Sequence, residues 1–215
     1  MRRLLDRLRP WRAGPPRPLH GRLVVVDTET TGLDPRRAAL LSVGAVSITG
    51  GRLDLDDGFY QLADPERVAD PDNILVHRLT PEALAAAPPA GRAAAAFRAW
   101  RGDAPLFAYH AAFDRCVLDQ ALVRVGEPRL AGPVIDVADW VCLAEPEFAA
   151  RPPTLDAAAA FFRLPLLTRD RHNAHADALV TALLLLRLAA RRPFTDTREL
   201  ARALRRQRLL RAARH

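Results

Sequence analysis

No lysine occurs in the 215 residues: all 32 basic side chains are arginine. Cysteine is almost absent too, with only Cys116 and Cys142 present. Neither has metal-type spacing, and a pair so far apart excludes a disulfide-dense scaffold. Both lie in helical-looking apolar segments and are expected to be reduced core residues of a cytoplasmic protein. Long apolar runs are missing as well. The best, Ala178 to Leu186, is interrupted by Thr181 and closed by Arg187, which falls short of a membrane span. The Arg-rich start, Met1 to Trp11, has no apolar h-region and does not read as a secretory signal.

What is present is an apolar fraction of 49%, which excludes disorder for most of the length and suits one domain with appendages. The net charge of +7 is unevenly placed. Residues 1–22 hold seven Arg against one acid, and residues 187–215 hold ten against two. The middle, 23–186, holds fifteen Arg against 22 acids, so an acidic body carries two basic ends. Such a body fits a site with several carboxylates, and basic ends fit a polyanionic partner. A compositional bias of the source accounts for the number of arginines better than for their placement.

Residues 2–8 form a short helical pattern with Leu4, Leu5 and Leu8 on one side, ended by Pro10 and followed by Pro15, Pro16 and Pro18. Residues 1–21 therefore read as a basic arm and linker, 22–192 as the main domain, and 193–215 as a basic amphipathic helix. Within the domain, strands are expected around Val24–Val26, Ala38–Ile48 and Leu53–Gln61, with Gly50-Gly51 as a hairpin turn. A loop with His77 leads to a helix start at Thr80-Pro81-Glu82. An Ala-rich helix over Gly91–Trp100, a strand over Pro105–Tyr109 and a helix over Phe113–Val125 closed by Gly126 follow. Val134-Ile135 is a last short strand. Helices are expected over Val137–Leu143, Leu155–Phe162, Asp177–Ala190 and Asp196–Ala213, the last with a capping-box-like Asp196/Glu199 pair. The α/β pattern is thus an antiparallel meander of three strands, then alternating helices and strands in a mixed sheet covered by helices.

Chemistry concentrates at the end of the first strand, in Asp27-Thr28-Glu29-Thr30-Thr31-Gly32-Leu33. Alternate residues of a strand share a face, so Asp27 and Glu29 emerge side by side. Two carboxylates so close repel unless a cation lies between them, and a divalent metal is the natural partner. A strand-end turn with solvated acids is the plainer alternative. Two later stretches add acids. Asp114 sits in the first turn of a helix after a strand, a position that suits the helix dipole even without another task. Asp177 opens the longest apolar helix, five residues after His172, where capping is again the plainer role.

Together these stretches resemble the DEDDh exonucleases, the DnaQ-like family that includes the proofreading epsilon subunit of DNA polymerase III. The D-x-E-T-T-G motif is matched at Asp27 to Gly32, and H-x-A-x-x-D by His172, Ala174 and Asp177. The intervening H-N-x-x-F-D motif is approximated by Tyr109-His110-Ala111-Ala112-Phe113-Asp114, where Tyr-His replaces His-Asn. Val76-His77-Arg78-Leu79-Thr80 is similar to the family's V-H-G-I-T segment and Thr154-Leu155-Asp156 to its S-L-D. The resemblance covers about residues 22–190.

It implies an RNase H-like, five-stranded mixed sheet flanked by helices, and 3′→5′ hydrolysis of nucleic acid to nucleoside 5′-monophosphates. Asp27, Glu29, Asp114 and Asp177 would hold two Mg²⁺ or Mn²⁺ ions roughly 3.5–4 Å apart, with His172 as general base. Asn173 fills the slot where a related subclass carries its Tyr, and His175 reads as a bystander. Substrate would lie along Thr28, Thr30, Thr31, Gly32 and Leu33, with Leu33 packing on the terminal base and His110 alongside. Phe113 is expected in the core. A single-stranded DNA 3′ end in proofreading or repair is the favoured substrate, RNA trimming the rival, and a non-catalytic polymerase- or nucleic-acid-binding module the alternative of another class. In the terminal helix, Leu200, Ala203, Leu204, Gln207 and Leu210 form a stripe that packs on the domain or, with its Arg, meets a nucleic acid or protein partner.

Overall fold

The computed structural model describes residues 21–65, 79–165, 173–191, 194 and 196–213. The expected helix over 2–8, the proline linker, His77 and His172 lie outside these residues. Strands β1 (Arg22–Thr30), β2 (Leu40–Thr49) and β3 (Arg52–Leu62) form the antiparallel meander. The turn between β2 and β3 uses Gly50 and Gly51 at φ 59° and 76°, left-handed values that β-branched residues disfavour. Two short strands, β4 (Leu106–Ala108) and β5 (Val134–Asp136), join in parallel, giving the order β3-β2-β1-β4-β5. This is the mixed five-stranded sheet that the strand pattern implies.

Helices cover both faces: α1 (Pro81–Ala85), α2 (Ala90–Arg101), α3 (Ala111–Arg124), α4 (Val137–Ala144), α5 (Leu155–Phe161), α6 (Ala174–Arg191) and α7 (Thr197–Ala212). Side chains of β1 alternate between two cores. Leu23 and Val25 join Val46 and Ile48 of β2 against Trp140, Val180, Leu184, Leu200 and Leu204, from α4, α6 and α7. Val24 and Val26 face the other way, with Val43 and Ala45, against Phe97 of α2 and Leu118 and Leu122 of α3. Each fully buried Val, Leu or Phe contributes roughly 1.5–3 kcal/mol relative to exposure, so β1, apolar on both sides, anchors the fold.

Several helix starts differ from expectation for a local reason. Helix α6 begins at Ala174, three residues early, because Asn173 caps it: its Oδ1 accepts from the backbone N–H of His175 (3.0 Å) and Ala176 (3.4 Å). The capping role considered for Asp177 thus belongs to Asn173. Helix α3 begins at Ala111, behind His110 in the left-handed region (φ 63°, ψ 47°). Thr80 and Asp196 cap α1 and α7 as their sequences suggest, and Thr154 caps α5. Cys142 is buried, and burial pushes its thiol up to about 11. Cys116 is only half-buried, its Sγ 3.6 Å from the carbonyl of Pro35, so it belongs to the core margin.

In α7 the stripe holds for Leu200 and Leu204, both buried, and fails at Leu210, which is 51% exposed. Its lower half meets acids rather than apolar surface: Arg208 and Arg211 both pair with Asp139 of α4. Among the described residues no helix is long and apolar enough to cross a membrane.

Candidate active site

Asp27 and Glu29 point to the face of β1 covered by α6, as their alternate spacing requires. Asp177, one turn into α6, meets them there, and one carboxylate oxygen from each of the three lies within 4.8 Å of the others. Glu29 and Asp177 are buried and Asp27 half-buried. Among the described residues the donors of this cluster are all carboxylate oxygens. That hard-oxygen set fits a hard divalent cation.

A glycine makes the meeting possible. Gly44 of β2 pairs with Asp27 and lies directly under the start of α6. A Cβ at Gly44 would stand 2.1 Å from the backbone N of His175 and 2.3 Å from the carbonyl carbon of Ala174. Only a hydrogen fits, and the close approach draws the first turn of α6, with Asp177, down onto the strand.

Asp114 stands apart from this trio. Thr28 points to the opposite face of β1, and its hydroxyl donates to Asp114 Oδ1 at 2.8 Å. Burial pushes the Asp114 carboxyl up to about 7; the Thr28 hydroxyl opposes that rise and the charge of Asp136 adds to it. The four acids of the motifs therefore come from both sides of the end of β1, three sharing one small volume and the fourth fastened to Thr28.

The turn after β1 is held by its own hydroxyls. Thr30 Oγ1 donates to the carbonyl of Gly32 at 2.9 Å, and Thr31 Oγ1 accepts from the N–H of Ala39 at 2.9 Å. Leu33 follows at 95% exposure, an apolar side chain left in solvent. Phe113 is half-buried against the α2/α3 core, as expected. His110 is exposed; its backbone N–H donates to Asp136 Oδ1 at 3.1 Å, and its ring meets Tyr109 edge-on at 5.0 Å. Tyr109 is buried and its hydroxyl donates to the carbonyl of Pro153 at 2.8 Å, which ties the second motif to the start of α5.

His175 packs rather than faces the acids: its Nδ1 lies 3.4 Å from the carbonyl of Phe59, and its ring stands edge-on to Tyr60. Tyr60 and Asp136 are neighbours of the site that sequence reasoning passed over. Tyr60 lies opposite Gly44 on β3, and burial raises its phenol pKa, with the charge of Glu29 adding to the rise. Its only signal was its place in an alternating strand. Asp136 closes β5 and caps α4, donating nothing and accepting the N–H of Ala138 at 3.0 Å. His172 lies outside the described residues.

Known proteins are similar to this chain in sequence and in fold. The RNase T family model, an exonuclease domain, matches residues 24–185. The chain is 29% identical over 168 residues to DNA polymerase III subunit epsilon of Escherichia coli (strain K12), covering 75% of this chain and 68% of that one. It is 32% identical over 166 residues to the PolC-type DNA polymerase III of Bacillus subtilis (strain 168), covering 77% of this chain. It spans only 11% of the length of that polymerase. In fold it matches exonuclease X solved in complex with 5′ overhanging duplex DNA. The TM-score is 0.68 at 22% identity, over 85% of this chain and 99% of that one. The family match runs from β1 well into α6 and so includes the strand and the helix that bring Asp27, Glu29 and Asp177 together: the chain belongs to the RNase T exonuclease family.

Proposed function

We propose that the chain is a metal-dependent 3′→5′ exonuclease that removes nucleoside 5′-monophosphates from a single-stranded DNA end. The observation that carries this reading is the trio of carboxylate oxygens from Asp27, Glu29 and Asp177 within 4.8 Å, formed by two motifs 150 residues apart in the chain. Asp27, Glu29 and Asp177, with Asp114 from the other side of β1, would hold two divalent cations. When bound, these supply the Lewis acidity that readies a water and offsets charge building on the phosphorus and the leaving 3′ oxygen.

The remaining work falls to the chain itself. His172, by its place in the third motif, takes the proton of the attacking water, a task for which an imidazole suits neutral pH. The turn from Thr28 to Gly32 is pinned by its own hydroxyls and therefore offers its backbone to the terminal nucleotide. Leu33 covers the base. Nothing in this arrangement reads base edges, so cleavage depends little on sequence. DNA is favoured because the relatives include a PolC-type DNA polymerase III and a DNA polymerase III subunit epsilon, and exonuclease X was solved with DNA.

Matched 3′-recessed DNA, single-stranded DNA and single-stranded RNA, digested with Mg²⁺, Mn²⁺ or EDTA beside the Asp27→Ala protein, test the reading. Metal-dependent shortening from the 3′ end, absent in the variant, is expected, with DNA consumed fastest. Preferential loss of RNA would reassign the substrate, and no cleavage by folded protein would overturn the activity.

A further inference from the structure

Helix α7 begins twelve residues beyond the segment that the family model matches, yet it reaches the second catalytic motif. Arg208 is the link. Its Nε donates to Asp139 Oδ2 at 2.8 Å, and its Nη2 lies 3.4 Å from Asp136 Oδ2. Arg211 takes the other oxygen of Asp139. Both acids are nearly covered, at 12% and 5% side-chain exposure, while Arg208 remains 55% exposed. Two buried carboxylates three residues apart in one helical turn repel each other, and the guanidinium between them relieves the repulsion.

The other oxygen of Asp136 does a second job. Oδ1 accepts the N–H of His110 as well as that of Ala138. His110 is one of only two non-glycine residues among those described with a positive φ, and a β-carbon in that region is strained unless its surroundings hold it there. The His110 carbonyl then accepts from Phe113 N–H at 2.9 Å, opening α3, and Asp114 is the next residue. An unbroken path of hydrogen bonds thus runs from α7 through Asp136 to the turn that aims Asp114.

We propose that Arg208 is a positioning residue for the exonuclease site: by fixing Asp136, it holds the left-handed turn at His110 and so sets where Asp114 points. This rests on the proposed exonuclease reading for its kinetic consequence, but not for its structural one. The C-terminal helix is then a working part of the site rather than an appendage, and its basic charge serves an internal contact first.

The test compares full-length Arg208→Ala, Arg208→Lys, Asp136→Asn and the double variant with Arg205→Ala, an exposed arginine on the same helix. Asp136→Asn keeps an oxygen to cap α4 and meet His110 but loses the anionic partner of Arg208. Hydrogen exchange is followed over residues 109–114 in metal-free protein, and kcat and KM are measured separately. Arg208→Ala and Asp136→Asn should each speed exchange in that segment and lower kcat by about tenfold with KM within about twofold. Arg208→Lys should recover part of the loss, and the double variant should be no worse than either single one.

If Arg208→Ala matches Arg205→Ala in exchange and in kcat, the clamp is wrong. It is equally wrong if the Arg208 and Asp136 effects multiply. Should α7 detach in Arg208→Ala, Asp136→Asn, with its helix cap intact, decides alone. If the unmodified protein cleaves nothing, the exonuclease reading fails by itself, and the exchange data still decide the clamp.

Discussion

Replacing Gly44 with Ala adds one methyl group, and the structure says where it must go. The new carbon would sit 2.1 Å from His175 N, 2.3 Å from Ala174 C and 2.5 Å from His175 Cα, all backbone atoms of the first turn of α6. No rotamer change relieves a backbone contact. Opening the shortest of these to an ordinary 3.4 Å lifts the helix start by about 1.3 Å. Asp177 lies two residues further along and rides on that turn, so the 4.8 Å trio of oxygens spreads. Overpacking of this kind costs about 1–3 kcal/mol, or roughly 2–10 °C in Tm for a chain of this size. The functional loss is larger, because misplacing a reacting group by about 1 Å costs on the order of 100-fold in rate. Thermal unfolding with and without Mn²⁺, beside a 3′-end cleavage assay, measures both effects. Gly58→Ala is the matched control: its added carbon would meet the movable ring end of His175 at 3.1 Å, and little should change. A Gly44→Ala protein with unaltered Tm, Mn²⁺ response and cleavage would refute the argument that this contact seats Asp177.

His172→Ala should lower kcat by about 10²–10⁴-fold while the Mn²⁺-induced rise in Tm persists, and His175→Ala should leave kcat near its original value. Leu33→Ala should leave Tm unchanged, since the side chain is 95% exposed, but raise KM for oligonucleotides. Losing about half of a leucine's burial corresponds to roughly 1–2 kcal/mol, a five- to thirtyfold change in steady-state KM. Asp57 is held by Arg22 (Nε at 2.6 Å) and by Trp100 Nε1 at 3.0 Å, and the Arg22 bond keeps its carboxyl below the usual range. Its folded value is lower than its unfolded one, so the stabilisation is complete above about pH 3.9 and is lost as pH falls through the folded value. Asp57→Asn should therefore cost about 1–2 kcal/mol in denaturant unfolding at neutral pH, and the gap should close in acid. A gap that stays constant down to pH 2 would show that charge plays no part.

The parts of this protein that the sequence makes legible are those written in short spacings. The alternation of Asp27 and Glu29 forecasts their shared face, Gly50-Gly51 forecasts the hairpin, and Thr80 and Asp196 forecast helix starts. Contacts between distant residues are not written that way. Thr28 meets Asp114 across 86 positions, and Asp136 meets Arg208 across 72. Neither pairing leaves a periodic trace, so Asp114 was foreseen by its motif alone and the restraint on it was not. Leu210 shows the converse failure. Helical spacing put it on the buried stripe, but the surface opposite is acidic, and arginines fill that stretch of the seam instead.

The two-sided construction of the sheet has a consequence for how the chain is made. Asp27 and Glu29 depend on α6 to bring Asp177 to them, whereas Asp114 arrives with α3 on the opposite layer. A nascent chain that has docked only the α3 layer holds three of the motif acids but not the trio that would seat a cation, because α6 has yet to be synthesised. The trio is thus complete only once the second layer has closed over β1.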